Sequence, residues 1–232
     1  MTTLTLWRII VYLFSSLFVQ FTHSIPPSEF TALRDLYFNT SGNTWRWKEP
    51  VSFYGPKWNF TSSLLAGDID PCSDQYATNN KVWQGLTCDH TPFQCSKNTS
   101  LCSVIAINLD KHGMKGPLSN TFDHWSNMQN ISMQLNKLTG PIPPSLFKIK
   151  KLMILNFGFN RLSQSIPSSI GSVTNLLYLY LYNNMLTGPI PPAVGSLTNL
   201  EYCMANKDKW MQPFNGDSEA NLLRVSSHWI SL

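Results

Sequence analysis

One segment returns along this chain at a constant spacing of 24 residues. Ile131-Ser-Met-Gln-Leu-Asn136-Lys-Leu138-Thr-Gly140-Pro-Ile142-Pro143 is followed by Leu155-Asn-Phe-Gly-Phe-Asn160-Arg-Leu162-Ser-Gln164-Ser-Ile166-Pro167. Leu179-Tyr-Leu-Tyr-Asn-Asn184-Met-Leu186-Thr-Gly188-Pro-Ile190-Pro191 comes next. A weaker copy precedes them, with Ile107, Leu109, His112, Met114, Gly116 and Leu118 at the matching places. A unit this short cannot bury its own apolar face. Stability must come from stacking each unit on the next.

The physics of one unit follows from its pattern. The opening residues alternate as in a short strand. Ile131 and Met133, Leu155 and Phe157, and Leu179 and Leu181 are expected to point inward. The Asn at 136, 160 and 184 turns the chain out of the strand. Its amide can satisfy backbone groups inside the bend, and stacked units line these amides into a ladder. Leu and Ile of the Leu-x-Gly-x-Ile-Pro stretch fill the core from the other side. Gly permits an unusual backbone path, and Pro fixes an extended φ. Leu200 opens a fifth strand, with Cys203 and Ala205 on core positions, and Asp208 falls 24 after Asn184.

These motifs resemble the plant-type leucine-rich-repeat family, which includes secreted polygalacturonase-inhibiting proteins and the ectodomains of receptor-like proteins and kinases. The resemblance covers about 104–208 and implies an α/β fold. It implies a right-handed leucine-rich-repeat solenoid with a concave parallel β-sheet and a helical, disulfide-bonded N-terminal cap. The preceding segment is similar to that cap. Ser28 is placed to cap a helix with Phe30, Leu33, Leu36 and Tyr37 on one face. Asp70-Pro71-Cys72 and Trp83-Gln-Gly-Leu-Thr-Cys88 match its Cys-Trp-x-Gly-x-x-Cys element, with a longer insertion before Trp83. Such a cap covers the open edge of the first repeat.

The expected organisation is a signal peptide at 1–24, the cap region at 25–103, repeats at 104–208 (about four and a partial fifth) and a divergent tail at 209–232. Arg8 is the only charge before the apolar stretch Ile9–Phe21, and small residues at Thr22 and Ser24 suit cleavage after Ser24. A membrane anchor is the alternative, but the stretch is short of the roughly 20 residues a span needs. Cleavage leaves no span in the mature chain and lowers the net charge of +4 by one. Cys72, Cys88, Cys95 and Cys102 allow three pairings. Short loops favour Cys72–Cys88 with Cys95–Cys102, and an exported chain favours disulfides over zinc. Cys203 is expected as a buried free thiol. Asn39, Asn59, Asn98 and Asn130 open four glycosylation sequons. The tail lacks a closing cysteine pair. Leu222, Val225 and Trp229 fit an improvised helical cap, and a truncated product is the other reading.

Function is read from the surface. Charged residues are only 13% of the chain, with no basic run carrying interleaved aromatics, so nucleic acid is not an expected partner. His90, His112, His124 and His228 sit in unrelated contexts. Asp68 and Asp70 flank the cap cysteine and read as turn residues. No catalytic motif, metal-ligand set or cofactor loop appears, so no enzyme, metal or cofactor is expected. The outward positions are Asn108, Asp110, Asn130, Ser132, Gln134, Asn156, Gly158 and Phe159. They continue as Tyr178, Tyr180, Tyr182, Glu201, Tyr202 and Met204. Phe159, Tyr178, Tyr180, Tyr182 and Tyr202 concentrate aromatics near the C-terminal end and are the candidate ligand contacts. Strand preference for Tyr is the competing explanation. The expected function is a secreted, extracellular recognition module for a protein, peptide or glycan. The alternatives are a truncated receptor ectodomain, an inhibitor of a secreted hydrolase and a structural matrix protein.

Overall fold

The computed structural model describes residues 25–50, 57, 58, 60, 71, 72, 82–89 and 102–204. The expected signal segment, Asn59, Asp68, Asp70, His90, Cys95, Asn98, Ala205, Asp208, and the tail with Leu222, Val225, His228 and Trp229 lie outside the described residues.

Each repeat contributes a strand to a six-stranded sheet. Its members are β1 (Leu86–Cys88), β2 (Val104–Asn108), β4 (Asn130–Ser132), β6 (Ile154–Asn156), β8 (Tyr178–Tyr180) and β10 (Tyr202–Met204), in that spatial order. From β2 onward the strands are parallel, and the register follows the sequence period. Ile107, Ile131, Leu155, Leu179 and Cys203 fall in one row. The first four are buried, as are Met133, Phe157 and Leu181, so the inward assignments hold. Cys203 is a free thiol, partly buried, and burial pushes its pKa up to about 11.

The Leu-x-Gly stretches do more than the sequence suggests. They form a second, four-stranded parallel sheet of β3 (Lys115–Pro117), β5 (Lys137–Gly140), β7 (Arg161–Gln164) and β9 (Met185–Leu186). Two to four alternating residues are too few to announce a strand by pattern. Their pairing exists because stacking holds them side by side. After each Ile-Pro, a 3-10 helix closes the unit, at Pro144–Lys148, Ser168–Ser172 and Pro192–Ser196. Its buried apolar members are Leu146 and Phe147, then Ile170, then Val194.

The repeated Gly is a conformational requirement. Gly116, Gly140 and Gly188 have φ of 111°, 75° and 78°, and Gln164, which replaces Gly in the third unit, is forced to φ 66°. A side chain there costs about 1–2 kcal/mol. Gln164→Gly is therefore expected to raise stability by roughly 0.5–1 kcal/mol after the added freedom of the unfolded chain is subtracted. A higher urea midpoint at unchanged slope checks it.

The ladder is present at each of the three asparagines. Asn136, Asn160 and Asn184 are buried. Each carbonyl oxygen accepts from a backbone N–H of the preceding repeat: Met114 to Asn136 (3.0 Å), Leu138 to Asn160 (3.0 Å) and Leu162 to Asn184 (2.9 Å). Each amide NH2 donates to carbonyls of its own and the preceding strand, as Asn160 does to Phe157 (3.1 Å) and Met133 (2.9 Å). His112 stands at the first ladder position. Its Nδ1 lies 2.9 Å from the Asp110 carbonyl, its buried Nε2 has no partner among the described residues, and its ring meets Trp47 edge-on at 5.6 Å. Burial lowers its pKa.

The N-terminal end is closed as expected, with one correction. Helix α1 spans Pro27–Asn39 with Pro26 as its N-cap, so Ser28 lies inside the first turn and makes no side-chain cap bond. Pro at the first helical position suits the start, because its missing N–H has no helical partner there anyway. Phe30, Leu33 and Leu36 are buried and Tyr37 is partly so. Antiparallel β1 pairs with β2 and covers the edge of the first repeat. Trp45, Trp47, Trp58, Phe60, Trp83 and Tyr37 pack in tilted and edge-on contacts beneath the helix. Cys72–Cys88 is a disulfide, Cα–Cα 6.0 Å, and Cys102 is also disulfide-bonded. Glu29 joins helix to repeats: its Oε2 accepts from the Val104 N–H at 2.9 Å, and the Trp125 indole donates to its carbonyl at 3.3 Å.

Candidate ligand-binding surface

Outward residues of the six-stranded sheet form four columns across the repeats. The first runs Ala106, Asn130, Ile154, Tyr178, Tyr202, and the second Asn108, Ser132, Asn156, Tyr180. By the same period the third runs Asp110, Gln134, Gly158, Tyr182 and the fourth Lys111, Leu135, Phe159, Asn183. The two halves of this face differ in kind.

The N-terminal half is polar and already tied to itself. Asp110 Oδ1 accepts from the Ser132 hydroxyl (2.7 Å) and the Gln134 N–H (3.0 Å), and Oδ2 accepts from the Gln134 amide (3.0 Å). Asn108 takes the Asp110 N–H at 3.3 Å. Asn156, expected simply to face outward, is half-buried and takes the Gly158 N–H at 3.1 Å. Asn130 is half-buried on β4, so a glycan there would stand on the concave sheet two strands from Tyr178. Asn39, at the helix end, is exposed.

The C-terminal half is aromatic and continuous. All five residues singled out in the sequence are brought together. Tyr202 stacks on Tyr178 (centroids 5.4 Å, 23°), and Tyr178 lies nearly parallel to Tyr180 (6.4 Å, 10°). Tyr180 meets Tyr182 edge-on (6.4 Å), and Tyr182 meets Phe159 edge-on (5.1 Å). Phe159 is not a strand residue. It sits at the rim with φ 54°, 44% exposed, and shares its backbone turn with Lys111, Leu135 and Asn183. The Tyr178 hydroxyl donates to Glu201 Oε2 at 2.9 Å, and that bond and charge raise the tyrosine pKa. Burial raises that of Tyr180.

Gly158 makes the row possible, and sequence reasoning gave it no such part. A Cβ at 158 would lie 2.8 Å from the Tyr182 ring. Its bare backbone lets that ring fold over the neighbouring strand and reach Phe159. The signal was visible as a Gly in a strand position, which often marks a close approach.

An open groove of about 350 Å³ follows the opposite edge of the sheet, lined by Gln129, Lys151, Met153, Asn175, Leu177 and Asn199. Several of its polar groups serve the stack: Asn175 donates to the Lys150 carbonyl and Asn199 to the Thr174 carbonyl, each at 2.8 Å. Among the described residues no helix is long and apolar enough to cross a membrane.

Residues 151–173 and 175–197 match the Leucine Rich Repeat family. A probable inactive receptor kinase of Arabidopsis thaliana is 30% identical over 100 residues, 43% of this chain. The chain spans only 8% of that relative's length. The leucine-rich-repeat ectodomain of the Arabidopsis thaliana receptor kinase SOBIR1 superposes with a TM-score of 0.53 at 19% identity. That match covers 76% of this chain and 77% of the other. The PEPR1–AtPEP1 structure gives 0.57 at 24% identity, over 78% of this chain and 22% of that one. This chain carries leucine-rich repeats, and its solenoid has the fold of plant receptor-kinase leucine-rich-repeat ectodomains.

Proposed function

We propose that this leucine-rich-repeat chain is a secreted recognition module. It binds an extended peptide or protein segment along the concave face and catalyses nothing. The observation that carries the reading is the unbroken aromatic row from Tyr202 to Phe159. Tyrosines give large contact area at low entropic cost and add hydroxyls for hydrogen bonding. The row also favours peptide over glycan. Sugars stack on bare aromatic faces, whereas Tyr178 has its faces against Tyr202 and Tyr180 and offers ring edges and hydroxyls. A protein of this fold, PEPR1, is solved with AtPEP1. Disulfides in the cap fit an oxidising compartment. Signal removal near Ser24 and a glycan on at least one of Asn39, Asn59, Asn98 and Asn130 belong to the same reading, as do the boundaries 1–24, 25–103, 104–208 and 209–232.

A photoreactive residue at position 180 of the full secreted chain should cross-link a peptide or protein identifiable by mass. With that ligand, Tyr180→Ala/Tyr182→Ala/Tyr202→Ala should lose roughly 2 kcal/mol or more, about thirtyfold in affinity. The core should be spared, because Leu179 and Leu181 fill it instead. Undiminished affinity in the folded triple variant, or adducts to glycan alone, would move the binding site or the ligand class.

A further inference from the structure

The outer face of the second sheet carries a charge imbalance that the fold does not resolve. Seven Lys and Arg residues lie between 104 and 204. Lys148 bonds Asp123, Lys151 bonds Asn127 and Lys150 bonds the Ser172 carbonyl. The remaining four, Lys111, Lys115, Lys137 and Arg161, have neither ion pair nor side-chain hydrogen bond among the described residues. The same stretch holds three acids, Asp110, Asp123 and Glu201, and all are engaged elsewhere.

The cations are also placed against their own repulsion. Lys115 pairs directly with Lys137 across β3 and β5, and Thr139 pairs with Arg161 across β5 and β7. These residues are exposed on one face, alternating with buried Met114, Leu138 and Leu162. Like charges opposite one another in a sheet are destabilising. At a strand spacing of about 4.8 Å Lys115 and Lys137 lie well inside the screening length of about 8 Å, and Arg161 stands diagonally from Lys137, about 7–8 Å away. Arg46 from the cap, also exposed, lies beside Gly113 and extends the line.

Exposed apolar side chains stand beside these charges in the chain, two of them on the rim column that borders the concave face. Leu135 precedes Lys137 by two residues and Phe159 precedes Arg161 by two. They are 39% and 44% exposed, both at positive φ, and Met185 on β9 is 62% exposed. The positive φ belongs to the repeat turn shared with Lys111 and Asn183, and it leaves Leu135 and Phe159 facing outward.

We infer that this face docks an acidic segment of a protein partner that also carries apolar side chains. Carboxylates meet Lys115, Lys137 and Arg161, while the apolar side chains cover Leu135, Phe159 and Met185. A polyuronate would answer the charges and leave the apolar residues wet, so the mixed character selects a polypeptide. The surface meets the aromatic row at Phe159 but is otherwise separate from it.

The test uses the full secreted chain and three fluorescein-labelled probes: a peptide of interspersed Glu and Leu, a poly-Glu peptide of equal charge, and polygalacturonate. The Glu/Leu peptide should bind tightest, weaken steeply with salt, and lose at least tenfold in Lys115→Glu/Lys137→Glu/Arg161→Glu. Leu135→Ser/Met185→Ser should weaken the Glu/Leu peptide and leave poly-Glu unchanged. Tyr180→Ala/Tyr202→Ala should bind it like the wild type, which separates this face from the concave one. Urea midpoints confirm that each variant is folded. Wild-type binding in the charge-reversed variant, or polygalacturonate binding as tight as the Glu/Leu peptide, overturns the inference.

Discussion

Asn160→Ala is expected to lower the stability of the array by about 2 kcal/mol, and Asn156→Ala by no more than about 1 kcal/mol. The two residues lie in the same repeat and lose the same atoms. Asn160 is buried, and its loss strands the Leu138 N–H, while the Met133 and Phe157 carbonyls keep the amides of Asn136 and Asn184. An unmet buried group costs about 1–3 kcal/mol, whereas exchange of one hydrogen bond for water costs much less. Asn156 holds a single N–H, that of Gly158, on a half-buried face that water reaches. Matched urea curves decide between them, and equal midpoints would mean that the ladder amides do not hold the turns.

Stability is also expected to fall as pH rises from about 5 to about 7.5, by as much as about 3 kcal/mol. The group responsible is Glu29, whose pKa is raised to about 7 in the folded chain. Burial is the main cause. The Val104 N–H and the Ser103 hydroxyl pull the other way, and the charge of Asp89 adds to the rise. Between the ordinary glutamate value of about 4.3 and about 7, the native state binds one proton more than the unfolded chain. Linkage then makes the contribution of Glu29 decrease with pH across that window and stay level on either side of it, while His112, with its pKa lowered by burial, contributes in the opposite sense below about 6.5. Each pKa unit is worth about 1.4 kcal/mol. Glu29→Gln keeps an acceptor for Val104 and removes the charge, so it should flatten the profile and stabilise the protein at pH 7.5. A variant with the same slope as the wild type would exclude Glu29 as the source.

Most of the repeat architecture was legible because one constraint is written several times over. The spacing of 24 among positions 112, 136, 160 and 184 sets the register, the inward pairs and the ladder together. Features that arise once, or only between units, were not. The second sheet comes from stacking, and its strands are too short to carry a period of their own. Glu29 gives no signal as a lone acid in the first turn of a helix, because only the packing of α1 on β2 buries it. The start of α1 was misread because Ser28 is a good cap by type, while Pro27 had already fixed the first helical residue.

The candidate surface was legible in its membership and not in its arrangement. Alternation placed Tyr178, Tyr180, Tyr182 and Tyr202 on one face. It did not show that Tyr178 stands between Tyr202 and Tyr180, nor that Gly158 clears the space for Tyr182. The basic face was invisible for a related reason. Lys115, Lys137 and Arg161 are far apart in the sequence and become neighbours only through the stagger of β3, β5 and β7.

The chromophores are sorted along the axis of the solenoid. Trp45, Trp47, Trp58, Trp83 and Trp125 belong to the cap and the first repeat, and residues 126–204 contain no tryptophan. The concave row of the later repeats is built of tyrosine instead. With Trp210 and Trp229, which lie outside the described residues, replaced by Phe, the tryptophan fluorescence of the secreted chain would report on the N-terminal end of the solenoid. The near-ultraviolet dichroism of closely stacked tyrosines reports on the later repeats. Melting of an array that opens from one end would show as two optical transitions at different temperatures, and the order of their appearance would name the end that gives way first.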